Sequence, residues 1–115
     1  MDKPKLYSMP FSKIYLLYVK KLEKKGYPER DVQSIIEWLL GYDQESLNDT
    51  LNNDIDVETF INNAKAFNPL ASEIKGNICG VKIETIEDET MKKIRILDKL
   101  IDERYKGKKL ESLLK

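Results

Sequence analysis

The apolar positions of residues 89–105 recur at the spacing of a long amphipathic helix. One face of this helix carries five apolar residues at intervals of three or four, namely Met91, Ile94, Leu97, Ile101 and Tyr105. Ile96 and Leu100 lie beside this face and widen the apolar arc to more than half of the circumference. A surface helix needs an apolar stripe of only ~100°. We therefore expect residues 89–105 to have neighbours on two sides, from their own fold or from a second subunit.

Two helices are predicted in the first forty residues, each with a recognisable start and stop. Ser8 or Ser12 caps the first, which runs to about residue 25 and ends at Gly26. Pro28 opens the second helix, because a proline at the first helical position loses no hydrogen bond. Gly41 ends it.

Two shorter helices should follow. Asp43 caps the third, and the residues 52–54 break it because Asn and Asp favour local side-chain hydrogen bonds over helix. Asp56 caps the fourth, which Asn68 and Pro69 are expected to stop.

Residues 70–87 give mixed signals. Residues 81–86, VKIETI, alternate apolar and polar positions with β-branched residues, which favours a strand. No other segment offers an obvious partner for its hydrogen bonds. We therefore expect short helical turns or an extended connector, unless two copies pair across a dimer. Asp88 then caps the long helix, Gly107 ends it, and leucines near the C-terminus predict a last helical turn.

Together these elements predict an all-α protein. We expect a compact bundle of five or six helices around the long C-terminal helix, with an irregular or short extended connector at about residues 70–87. The 115 residues suit a single domain spanning residues 1–115. The apolar run of residues 14–19 is too short for a signal peptide or a membrane span. One cysteine cannot form an internal disulfide, so we expect a cytoplasmic protein.

The residue inventory excludes several kinds of active site. The chain has no histidine, which removes histidine-based triads and histidine metal sites. With a single cysteine as well, one chain cannot build a tetrahedral zinc site from Cys and His. We find no motif for a cofactor, and we expect none.

Cys79 is the first weak candidate for chemistry. Its thiol stands beside the flexible Gly80 and could act as a nucleophile or redox sensor if its pKa were lowered. Only Lys75 or Lys82 could do so, since no histidine is present. A small buried apolar side chain is the commoner role of a free cysteine, and we favour that interpretation.

Asp98 and Asp102 form the second candidate. Two carboxylates four residues apart on a helix could bind Mg²⁺ or act as acid and base. The alternative is a surface ion pair between Asp98 and Arg95, which is common on helices. We favour the ion pair, because the remaining metal ligands cannot be located in the sequence.

A third candidate mixes aromatic and basic residues, as nucleic-acid-binding surfaces do. Four lysines lie close to Tyr15, Tyr18 and Tyr27, namely Lys20, Lys21, Lys24 and Lys25. Tyr15 and Tyr18 fall on the apolar stripe of the first helix and so are expected in the core. The chain carries no net charge, which argues against nucleic acid as the partner.

Charge is nevertheless segregated along the chain. Residues 31–64 hold eight acids and no Lys or Arg, whereas residues 1–30 hold eight bases and three acids. Residues 65–115 hold twelve bases and nine acids. We therefore predict a homodimer built on an apolar patch at Ile96 and Leu100, with acidic and basic segments of the two subunits apposed. The alternative is a monomer in which these charges pair internally.

Three segments resemble the uncharacterised bacterial family known as domain of unknown function 2200. They are EWLLGYDQESL (37–47), NICGVKIETIED (77–88) and IRILDKLIDERYKGKKLESLL (94–114). The chain departs from the family pattern at Glu89, often proline there, and at Arg104-Tyr105, where alanine-rich sequence is usual. The resemblance implies a cytoplasmic, stand-alone bacterial domain and supplies no catalytic residues.

These observations rank three functions. The first is a non-catalytic interaction or structural module with an unidentified protein partner or a second copy of itself, and no membrane. The second is a regulator that contacts nucleic acid through Lys20, Lys21, Lys24 and Lys25. The third is a small enzyme that uses Cys79 or the Asp98/Asp102 pair.

Overall fold

The computed structural model describes residues 5–64, 67–68, 77–78 and 81–114. Within these ranges the predicted all-α class is confirmed, and the long helix is central. The helices are α1 (Lys5–Ser8), α2 (Phe11–Glu23), α3 (Glu29–Leu40), α4 (Gln44–Asn52), α5 (Val57–Asn62), α6 (Glu89–Tyr105) and α7 (Leu110–Leu113). Two of these seven, α1 and α7, are single turns. None of the described helices combines the length and the apolar character that crossing a lipid bilayer requires.

Side-chain caps start three of the helices as predicted. Asp43 accepts a hydrogen bond from the backbone N–H of Ser46 at 2.8 Å, and the Ser46 hydroxyl accepts one from the Asp43 N–H at 3.0 Å. Asp56 caps α5, and Asp88 caps α6 by accepting from the first-turn amides. Each such cap satisfies N–H groups that a helix leaves without partners.

The prediction that Ser8 or Ser12 caps α2 is wrong. Pro10 occupies the cap position and makes no side-chain hydrogen bond. The first amide of α2, that of Phe11, instead donates to the backbone carbonyl of Ile55 at 2.8 Å. This contact from a distant segment provides the partner that a serine would have supplied.

The helix that was predicted as the fourth is α5 in the structure, and it ends at Asn62 and not at Asn68. Asn68 has a different role, because its backbone N–H donates to the Leu39 carbonyl at 2.9 Å and its side-chain amide donates to the Trp38 carbonyl at 3.2 Å. It therefore satisfies carbonyl groups at the C-terminal end of α3.

The connector between α5 and α6 contains a small hairpin. Strands β1 (Asn77–Ile78) and β2 (Val81–Lys82) pair antiparallel, with Ile78 opposite Val81. A 3₁₀ turn over Ile83–Thr85 follows, and Ile83 is buried against the helices. The strand predicted within VKIETI thus pairs with β1, which is only two residues long. A segment of that length is too short to show an alternating pattern of apolar and polar residues.

The core is built around α6, with both sides of its apolar arc covered by the same chain. The buried residues of α6 are Ile94, Ile96, Leu97, Leu100 and Ile101. The α6 helix packs against α2, α3, α5, strand β1 and the 3₁₀ turn. Ile96 is 2% exposed and Leu100 is 3% exposed, so the predicted dimer patch at these two residues is wrong. Burial in the core supplies the neighbours that the wide arc requires.

Candidate functional site

The Asp98 carboxylate lies at the interface between α6 and α2, with both oxygens bound. The Tyr18 hydroxyl donates to Oδ1 of Asp98, and Nη1 of Arg95 donates to Oδ2 at 3.2 Å. Burial raises the pKa of Asp98 above its usual value, although the hydrogen bonds from Tyr18 and Arg95 and the charges of Arg95 and Lys21 act in the opposite direction. Burial also raises the pKa of Tyr18 well above its usual value. The predicted ion pair of Asp98 with Arg95 is therefore present, with Tyr18 as an additional partner.

Asp102 belongs to a different cluster, one turn further along α6. Its carboxylate accepts from Nζ of Lys21 at 3.2 Å and pairs with Nζ of Lys106 at 3.1 Å. Burial acts to raise the pKa of Asp102, but the bonds and charges of Lys106 and Lys21 outweigh it and lower the pKa. The two carboxylates thus have separate partners, and the described residues contain no group of three carboxylate or thiol side chains arranged to hold a metal ion.

The four lysines near the end of α2 do not act as one uniform patch. Lys21 is bound to Asp102, and its Nζ also lies 5.2 Å from the centre of the Tyr105 ring. Nζ of Lys25 lies 5.0 Å from the same ring, a distance typical of a cation–π contact. Lys20 and Lys24 are exposed, and no carboxylate of the described part of the chain is within ion-pair distance of either. Lys20 and Lys24 therefore carry free positive charge in this region, and Lys25, which contacts the Tyr105 ring, adds to it.

A groove runs between α2 and α6, past Leu17. A cavity of about 190 Å³ holds Ile14, Leu17, Tyr18, Arg95 and Asp98 in its lining. A more open cavity of about 470 Å³ is lined by Leu17, Lys20, Lys21, Lys24 and Tyr105. Because Leu17 lines both, we treat these nine side chains as one surface and call it the α2–α6 groove. Its floor is apolar, and lysines stand at one end.

Leu17 is 59% exposed, and its neighbour Leu16 is 57% exposed. Consecutive residues of a helix point about 100° apart. Leu16 accordingly faces a separate cleft of about 220 Å³, beside Glu29 of α3 and Leu51 of α4. Sequence reasoning did not single out either leucine. The available signal was that both fall outside the three-and-four spacing of the buried face of α2.

Other tyrosines in the first part of the chain also bind carboxylates. The Tyr7 hydroxyl donates to Oδ2 of Asp88 at 2.6 Å, and the Tyr15 hydroxyl donates to Oε2 of Glu29 at 2.5 Å. Tyr15 and Tyr18 are buried, as the apolar stripe predicted. Sequence patterns placed their rings in the core but gave no indication of where the hydroxyl groups find partners.

Part of the acidic segment is neutralised within the chain. Asp31 is only 7% exposed, and its Oδ2 accepts from Nε of Arg104 at 2.9 Å. The guanidinium of Arg104 also stacks on the Tyr27 ring, 3.9 Å from its centre. For Asp31 and Arg104, this ion pair agrees with the alternative of a monomer in which the charges pair internally. Cys79 lies outside the described residues, so the favoured buried apolar role and the alternative of a reactive thiol both stay untested.

Comparisons with known proteins give a family and a fold. Residues 5–115 match the family model described as "Uncharacterized protein conserved in bacteria (DUF2200)". The chain belongs to this family, as its sequence resemblance indicated. The crystal structure of "uncharacterized protein SP1917" is similar over 98% of this chain and 93% of that chain, with 38% sequence identity and a TM-score of 0.92. No curated protein matches the chain.

Proposed function

We propose that this protein is a non-catalytic interaction module that binds a partner protein through the α2–α6 groove. The observation that carries the proposal is the position of Leu17, which is 59% exposed and lines both cavities of the groove. An apolar side chain exposed at a concave surface gains free energy when a partner removes it from water. The single cysteine and the bacterial family support a cytoplasmic location.

The surroundings of the two aspartates support a non-catalytic function. Asp98 has a donor on each oxygen, and Asp102 is held by two lysines. A general acid or base needs a free position within reach of a substrate proton. In this protein the same groups bridge α2 and α6, which is a structural role.

Affinity capture from the native bacterial host tests the proposal. The wild type, Leu17→Ala and Leu16→Ala would be immobilised at equal amounts. Because both leucines are exposed to nearly the same extent, both variants should keep the wild-type stability within about 0.5 kcal/mol. We expect Leu17→Ala alone to lose the captured partner. A partner retained equally by all three proteins would refute the groove as the binding surface.

Self-association is a second candidate, favoured by the charges that remain exposed. Glu45 and Asp49 are exposed on α4, which packs beside α2. They could face Lys20 and Lys24 of a second copy. Since Ile96 and Leu100 are buried, a dimer would have to use other apolar residues. Sedimentation equilibrium at low and high salt tests this candidate, and a single 13.4 kDa species throughout would exclude it.

A further inference from the structure

We infer that the partner segment of the α2–α6 groove is an acidic amphipathic helix of another protein. This inference rests on the proposed function and adds the chemistry of the partner. Amphipathic helices bind grooves of this kind by inserting apolar side chains spaced three and four residues apart. The thirteen residues of α2 make one wall about 20 Å long, which matches roughly four turns of a bound helix.

The floor of the groove offers apolar contacts in a line. Ile14 and Leu17 lie one turn apart on α2, and Ile94 of α6 faces them across the smaller cavity. Ile14 is half-buried and Leu17 is largely exposed, so a partner side chain can contact both without moving the core. Apolar burial of this kind supplies most of the free energy of association.

The charges around the floor select an acidic partner. The two carboxylates nearest the groove already have cationic partners, Arg95 for Asp98 and two lysines for Asp102, and Asp98 also accepts from the Tyr18 hydroxyl. The exposed lysines Lys20 and Lys24 have no carboxylate partner among the residues described. Lys25 also has no carboxylate partner among these residues, so the charge at this end of the groove stays positive even with the exposed Glu23 of α2 counted. Complementary charge steers encounter and orientation.

Three other occupants fit these observations less well. A lipid bilayer is contacted by a broad apolar face, whereas the exposed Leu16 and Leu17 line separate clefts. Single-stranded nucleic acid needs a free aromatic ring for stacking, but the Tyr105 ring already contacts two lysine ammonium groups. A second copy of this chain has acidic helices whose apolar faces are buried in its own core, as for Ile35 of α3 and Leu47 of α4.

A binding assay with designed peptides tests the inference on the intact protein. The first peptide has about 14 residues, forms a helix of about 20 Å, and carries leucines at helical spacing with glutamate elsewhere. A second peptide has the same composition with the leucines scrambled, and a third replaces each glutamate with lysine. Fluorescence anisotropy at low and physiological salt measures each affinity. We expect binding of the first peptide at least tenfold tighter than of either control.

Matched variants of the protein locate the contact. Leu17→Ala should weaken binding of the first peptide about tenfold, while Leu16→Ala should leave it unchanged. Lys20→Glu and Lys24→Glu should each weaken it several-fold at low salt and less at high salt. Lys82→Glu makes the same charge change at an exposed residue of β2 and should have no effect.

Several results would overturn the inference. If the scrambled acidic peptide binds as tightly as the first, charge alone explains the binding. If the lysine peptide binds more tightly, the groove prefers a basic partner and not an acidic one. Binding of anionic vesicles or single-stranded DNA, lost in Leu17→Ala, would assign the groove to those ligands. If host capture depends on Leu17 but the captured segment is not acidic, the inference fails while the proposed function stands. If capture does not depend on Leu17, both fail.

Discussion

Asp98 and Asp102 are one helical turn apart on α6, yet the pKa values of their carboxylates shift in opposite directions. Burial dominates at Asp98 and raises its pKa above the usual 3.8. At Asp102 burial is outweighed by Lys106 and Lys21, and its pKa lies below 3.8. A four-residue spacing in sequence is therefore no evidence that two carboxylates share one site, because neighbours from α2 decide the environment of each.

The two aspartates should change stability in opposite directions with pH. The folded protein binds the Asp98 proton more tightly than the unfolded chain does. The contribution of Asp98 to the free energy of unfolding therefore decreases as the pH rises from 3.8 through its raised pKa. The contribution of Asp102 is present above 3.8 and is lost as the pH falls through its lowered pKa.

Urea unfolding of the wild type, Asp98→Asn and Asp102→Asn between about pH 3 and 6 measures both contributions. The stability advantage of the wild type over Asp98→Asn should decrease as the pH rises. Its advantage over Asp102→Asn should increase over the same interval. Two slopes of the same sign would contradict the environments described for these carboxylates.

At the scale of elements, three of the helix starts and the central helix were predictable because their signals are local. A capping aspartate and the amides it binds lie within three residues, as at Asp43, Asp56 and Asp88. The width of the apolar arc correctly indicated that α6 has neighbours on two sides. The hairpin and the start of α2 were not predictable, since β1 is two residues long and the α2 cap depends on Ile55, forty-four residues away from Phe11.

Leu97→Ala tests the central position of α6. Leu97 is 1% exposed, and truncation of a buried leucine costs about 2–5 kcal/mol. This is a large share of the roughly 5–15 kcal/mol that stabilises a typical domain. Urea unfolding should give a clearly lower midpoint for Leu97→Ala and a nearly unchanged one for Leu17→Ala. An unchanged midpoint for Leu97→Ala would mean that α6 is not the core.

At the scale of the whole molecule, pairs distant in sequence join the helices, and these pairs carry no sequence signal. Tyr18 binds Asp98 and Arg104 binds Asp31 across 80 and 73 positions of the chain. Net charge by segment suggested apposed subunits, but it could not reveal that Asp31 is paired internally. The groove was missed for the same reason, because its walls come from α2 and α6 and only the fold brings them together.

Arg104→Ala should destabilise the molecule far more than a matched surface change. It leaves the carboxylate of Asp31 buried without its partner, and breaking such a pair costs about 3–5 kcal/mol. Arg30→Ala is the control, because Arg30 binds Glu37 at 2.9 Å with half of its own side chain exposed. Exposed pairs contribute about 0–1 kcal/mol. Equal losses in thermal or urea unfolding would refute the structural role of Arg104.

Photo-crosslinking in the living host tests the central claim most directly, namely that the α2–α6 groove binds a partner protein. A photoreactive amino acid would replace Leu17 in one strain and Leu16 in another, at native expression levels. Both positions are exposed on α2, but they face different clefts. We predict a discrete crosslinked protein from position 17 and none of that species from position 16. The same crosslinked species from both positions, or from position 16 alone, would contradict the proposed function.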